Sequence, residues 1–214
     1  MKLQKLGGYA AILFVCTSVV IVIMTLPLLS RYGLAEPGAA FDPVKMLAVY
    51  QDASITYNIF DVLTILMGIL FVLVALALQE RMQGNAPNLM RLAIIAASIS
   101  AALFLTTSIT GYLGNPLITE TKDISAYRVL LVMRSCIGYA GFNAWGWALL
   151  LIGWAIFKTH ALSRILGCII FVNGLLAILQ FVVAQLEYVN YLILIINMAW
   201  LGIVLIRQRE PAIG

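Results

Sequence analysis

At 214 residues, with a net charge of +4, 63% hydrophobic and 10% charged residues and a mean hydropathy of +1.04, the chain has too few polar residues to clothe a soluble domain. The composition excludes a soluble enzyme. Five or six apolar spans of about 20 residues, each long enough to cross about 30 Å of hydrocarbon, would take up about half to two thirds of the chain, leaving little for any extramembrane domain.

Taken in chain order, a short basic stub (MKLQK) precedes an almost unbroken apolar run over residues 7–29. That run exceeds the roughly 7–15 apolar residues of a signal peptide, and no small-x-small cleavage site follows it directly, so it reads as a retained first span. The segment after it opens with Asp42 and Pro43, a helix start, because Asp accepts from free amides and proline suits the first helical position. Val44, Met46, Leu47 and Tyr50 then recur at helical spacing, predicting a short interfacial helix resting on the membrane or on the ends of the spans. Further spans are predicted over 56–78, 91–113, 131–157, 162–185 and 189–206. Gly84, Asn85 and Pro87 provide the turn between the second and third. The expected fold is all-α, a polytopic membrane protein with a six-transmembrane-helix bundle forming a single domain over 1–214.

Six spans place both termini on one side. Lys2, Lys5, Arg81, Arg91, Lys158, Arg164, Arg207 and Arg209 fall on that side, whereas Arg31, Lys45, Lys122 and Arg128 fall on the other and Arg134 lies within a span. The positive-inside bias makes the termini cytoplasmic. The basic residues are spread over four membrane-edge segments and form no continuous stripe, so no nucleic-acid partner is expected.

Polar groups within spans are the functional candidates, because burying them is costly unless they are paired or face water. Asp61 lies about five residues inside the second span, with Asn58 one helical turn before it. Arg134 stands a similar distance inside the fourth, so an Asp61 to Arg134 ion pair is predicted in the outer half of the bundle. Such a pair is read either as a device fixing helix register or as a functional charge site. Thr107 and Thr110 near the end of the third span, Gln180 and Glu187 one heptad apart around the fifth, and Asn197 in the sixth complete a candidate ligand-binding cluster in the outer half. If these groups converge they form a cavity closed below by an apolar plug; the alternative is a set of water-satisfied helix ends.

The remaining residues narrow the chemistry. Cys16, Cys136 and Cys168 lie in apolar runs without CxxC spacing, and His160, the one histidine, sits in a polar connection. No metal or cofactor is expected. Every lysine lies at a membrane edge, which excludes a retinal Schiff base, and no enzyme motif occurs. Gly138, Gly141, Gly146 and Gly153 in the fourth span, with Gly167 and Gly174 in the fifth, are spaced for close helix packing, inside one bundle or between copies. Counted from Tyr127 to Phe157, the fourth span would be about 46 Å long, so it projects beyond the hydrocarbon or bends near Gly138.

The stretch IGYAGFNAWGWALLLIGWAIFKTHALSRILGCIIFVNGLL, the entry KLGGYAAILF and the loop EPGAAFDPVKMLAVYQDASITYNIFD resemble a large bacterial family of six-span integral membrane proteins catalogued as a domain of unknown function. The resemblance covers nearly the whole chain, and it implies the fold and a bacterial inner-membrane location without an activity. Members often carry a histidine near the outer start of the fourth span; here Ser125, Ala126, Tyr127 and Arg128 stand there, so no metal or proton role transfers. The expected function is that of a non-catalytic integral membrane protein: a small-ligand or lipid-binding bundle, or an accessory subunit meeting a protein partner. The alternative is a small secondary transporter coupled to protons or another solute. Against transport stand the apolar inner halves and the absence of midplane helix breaks.

Overall fold

Apolar sequence of this length has few ways to satisfy its backbone without water, and the chain uses the helix throughout. A computed structural model describes residues 3–34, 42–82, 84–180, 182, 183 and 186–207, without the side chains of 29, 187 and 188. Among them are six helices: α1 (Leu3–Arg31), α2 (Pro43–Met82), α3 (Pro87–Thr121), α4 (Ile124–Thr159), α5 (Arg164–Leu179) and α6 (Leu186–Arg207). All but α5 are long and apolar enough to cross a membrane.

Each helix packs on its neighbours in the chain, α6 closes back on α1, and α2 also reaches α4. The result is a ring of antiparallel helices. The start of α1, the end of α6 and the α2–α3 and α4–α5 turns share one face, the terminal face; the opposite helix ends, with the α3–α4 turn, form the far face. Inside the ring, Phe14, Phe71, Phe104 and Trp145 bring α1 to α4 together. Trp145 stacks on Phe71 at 4.4 Å between centroids and meets Phe14 edge-on at 5.3 Å. Trp147 and Trp154 point out of the ring.

The structure moves several predicted boundaries. At 35 and 36 residues, α3 and α4 are about 52 and 54 Å long, so their hairpin overshoots a hydrocarbon layer of about 30 Å. Helix α4 runs on unbroken past Gly138, which decides between projection and a bend. Only Lys122 and Asp123 separate the pair. Lys122 takes the left-handed conformation (φ 53°) and closes α3, while the Asp123 carboxylate accepts from the amides of Ser125 and Ala126 to open α4.

Helix α2 is interrupted at Ala53 (φ −134°, ψ 36°), so residues 43–52 form a separate helical arm. The Asp42 carboxylate caps it, accepting from Val44 and Lys45. Met46 and Leu47 bury against Tyr127, Leu130 and Leu131 in a second, smaller core, and the Tyr127 hydroxyl donates to the Met46 carbonyl at 3.3 Å. The arm therefore rests on the hairpin end of α4, while Val44 is left exposed.

The predicted fifth span, 162–185, is too long. Helix α5 has 16 residues, about 24 Å, and ends at Leu179. The amides of Val182 and Val183 both turn back to the Leu179 carbonyl. No glycine or proline marks this end, so hydropathy alone runs through it. Consequently Glu187 belongs to α6, while Gln180 caps the end of α5.

On the terminal face, Arg81 donates through Nε and Nη2 to the Ala161 carbonyl at 3.0 and 2.7 Å, tying α2 to the α4–α5 turn. Arg81→Met keeps the stem and removes both donors. It is expected to destabilise by about 1.5–3 kcal/mol, seen as a lower thermal midpoint in detergent, whereas Arg91→Met on an exposed position should change little.

Candidate functional site

Three helices build the charged part of the predicted cluster. Asn58 and Asp61 lie on α2, just after the Ala53 break; Arg134 lies two turns into α4 from Tyr127; and α3 faces them with Ser108, Gly111 and Asn115. The Arg134 Nη2 donates to Asp61 Oδ1 at 2.6 Å, and the two side chains are 14% and 5% exposed. A Cβ at Gly111 would collide with the guanidinium, so a side chain there would expel Arg134 from its place. Thr107 Oγ1 donates to the Arg134 carbonyl at 2.9 Å and fixes α3 against α4 at this level.

The pair does not use all the polar capacity around it. Asn58 Oδ1, Asp61 Oδ2, Ser108 Oγ and both amide atoms of Asn115 are buried and have no hydrogen-bond partner in the protein. Asp61 is 3% exposed, Ser108 1% and Asn115 0%. Groups of this kind are satisfied in nearly all folded proteins, by protein, water or ligand. Toward the far face the cluster continues into phenols: Tyr50 and Tyr57 meet edge-on at 6.2 Å, and the Tyr57 hydroxyl donates to Met46 Sδ at 3.8 Å. Tyr50, Tyr57 and Tyr127 all lie within electrostatic reach of Asp61 and Arg134. Toward the terminal face, Phe104 and the aromatic core close the ring.

The other predicted residues lie elsewhere. Gln180 and Asn197 enter a chain of buried amides between α5 and α6. Asn190 Nδ2 donates to Gln180 Oε1 at 3.0 Å, Asn173 Nδ2 donates to Asn190 Oδ1, and Asn197 Nδ2 donates to Asn173 Oδ1 at 3.3 Å. Thr110 donates to the Thr106 carbonyl on its own helix and takes no part in the cluster. The Glu187 side chain lies outside the described residues. The predicted single cluster is therefore two, a charged one across α2, α3 and α4 and a neutral one across α5 and α6.

Ser108, Gly111, Asn115, Tyr57, Tyr127 and Asn173 are absent from the predicted set. Their spacing holds the missed signal. Ser100, Phe104, Ser108, Gly111 and Asn115 step along one buried stripe of α3, and Asn173 with Gln180, like Asn190 with Asn197, is separated by one heptad.

The charged cluster keeps both donor and acceptor capacity. Arginine carries five donors in a planar fork and Asp61 Oδ2 keeps its acceptor capacity, so an acceptor group and a donor group could be held side by side. Among the described residues, no group of three His, Cys, Asp or Glu side chains is placed to hold a metal ion. Comparison with protein-family models, with curated proteins and with solved structures finds no match to this chain.

Proposed function

We propose that the protein is a non-catalytic, multi-pass integral membrane protein whose α2–α3–α4 cluster binds a small polar ligand. The observation that carries this reading is the buried Asp61 to Arg134 pair, in which Asp61 Oδ2 and four further side-chain atoms on Asn58, Ser108 and Asn115 have no protein partner. A pair serving only to fix register would be expected to have its remaining lone pairs satisfied within the fold. In this proposal α5 completes a sixth span, the bilayer accommodating its shortness by local thinning. The charge asymmetry supports cytoplasmic termini, and the family resemblance supports a bacterial inner membrane. The helical arm at 43–52 then lies at the outer interface, above the cluster. Gly146, Gly153, Gly167 and Gly174 face one another within the chain, so an accessory partner or a second copy would use another surface.

A secondary transporter is the second reading. Ser100 Oγ and Trp145 Nε1, also buried without partners, continue the polar groups past the ion pair toward the terminal face. The packed Phe14, Phe71 and Phe104 rings weigh against a continuous path.

Native mass spectrometry after mild detergent extraction tests the binding reading. A retained small molecule is expected on the wild type and not on the Asp61→Asn, Arg134→Gln double variant, which keeps polar groups but no charge. A stoichiometric foreign chain without any small molecule would overturn it and make the cluster a joint between helices.

A further inference from the structure

The outer surface of the ring carries a groove between α4 and α5 at the terminal face, with a volume of ≈ 390 Å³. It lies on the lipid-facing side, away from the charged cluster. Its floor is Gly153, where α4 and α5 meet backbone to backbone, and its walls are Trp154 and Phe157 from α4 and Cys168, Phe171 and Val172 from α5. The walls stand out because the two helices touch beneath them. Trp154, Phe157 and Val172 are each about half exposed, and the lining is almost wholly apolar. Lys158 closes the groove at the terminal face.

Charge selects the occupant. From Trp154 to Val172 the chain has no acidic residue, while Lys158, His160 and Arg164 sit together at the α4–α5 turn, all exposed. The Arg164 guanidinium is held against the His160 ring by contacts of 3.3 and 3.0 Å. Ser163 makes no side-chain cap, so the first amides of α5 add positive potential at the same place. An apolar slot ending in cations at the membrane edge fits an amphiphile with an anionic head, because acyl carbon is held by the walls and phosphate by the turn. Basic pockets between helices bind acidic phospholipids on this physical basis, and the volume falls within the roughly 300–1,000 Å³ of small-molecule sites.

We infer that this groove is a binding site for an anionic phospholipid, one acyl chain lying over Gly153 between Trp154 and Phe171 and the phosphate resting at Lys158 and Arg164. The site needs only the membrane setting and is independent of the Asp61 to Arg134 cluster.

The test uses the delipidated full chain in detergent, titrated with phosphatidylglycerol or phosphatidylcholine and read by native mass spectrometry. Phosphatidylglycerol is expected to be retained in preference to phosphatidylcholine. Lys158→Gln and Arg164→Gln should each lower its apparent affinity about fivefold. Lys5→Gln and Arg91→Gln, which remove the same charge elsewhere on that face, should not. Cys168→Trp fills the slot without touching the charges and should lower retention of phosphatidylglycerol with the thermal midpoint unchanged. Equal retention of the two lipids by the wild type would overturn the proposal. So would a preference that survives Cys168→Trp, which would assign the lipid to surface charge alone, or a dimer that Cys168→Trp abolishes, which would assign the groove to a second copy.

Discussion

Asp61→Ala is expected to abolish the monodisperse, folded protein in mild detergent, while Asp61→Leu combined with Arg134→Met restores it. Arg134 lies in a slot that α3 leaves open only at Gly111, and its counter-charge at 2.6 Å is Asp61 Oδ1. Removing the carboxylate alone strands a buried cation, a loss of about 3–5 kcal/mol for pairs of this type. Replacing both partners with apolar side chains of similar size removes the desolvation cost along with the attraction, so the double variant should return close to wild-type stability. The readout is size-exclusion profile and thermal midpoint across the wild type, Asp61→Ala, Arg134→Met and the double. Equal stability of all four proteins would show that the pair contributes nothing to the fold. The double variant also separates structure from binding: folded but devoid of the small molecule proposed above, it would assign the pair to the ligand; folded with the molecule retained, it would remove the pair from the site.

That this pair can be foreseen from sequence, while most of its surroundings cannot, has a physical cause. A charge in an apolar span demands a partner, and Asp61 and Arg134, opposite in sign and similar in depth, leave little choice. Neutral amides make no such demand on the hydropathy profile. Asn173 sits in the run IIFVNGLLAIL, and its partner Asn190 lies beyond a turn whose residues, Val182 and Val183 among them, read as more span. Depth is legible and direction around the helix is not, so Thr110 joins the predicted cluster although its neighbour Gly111 is the residue that faces Arg134. Helix ends outside the hydrocarbon are hidden for another reason. Lys122 and His160 take the left-handed conformation that ends α3 and α4 although neither is glycine or asparagine, so the usual stop signals are missing.

The same substitution on one helix should have opposite signs at two glycines. In α4, Gly138 has nothing nearer to an added Cβ than Thr107 Oγ1 at 4.0 Å, so Gly138→Ala fills open space and contributes the helix-propensity gain of up to ~1 kcal/mol. At Gly153 the added carbon would stand 2.6 Å from the Phe171 nitrogen and 2.8 Å from the Gly167 carbonyl oxygen. Both are backbone atoms of α5 and cannot rotate away, so the two helices must separate. Gly174→Ala repeats the collision from the other side, 2.6 Å from the Leu150 nitrogen. Each of these two is expected to lose about 1–3 kcal/mol despite the better helix former. Thermal midpoints in one detergent decide it: a rise for Gly138→Ala with falls for Gly153→Ala and Gly174→Ala establishes backbone contact between α4 and α5. Rises at all three would mean the helices stand apart and the glycines act only through helix propensity. Gly153 is also the floor of the proposed lipid groove, so Gly153→Ala should weaken phosphatidylglycerol retention, whereas Gly174→Ala, outside the groove lining, tests the helix contact without that wall.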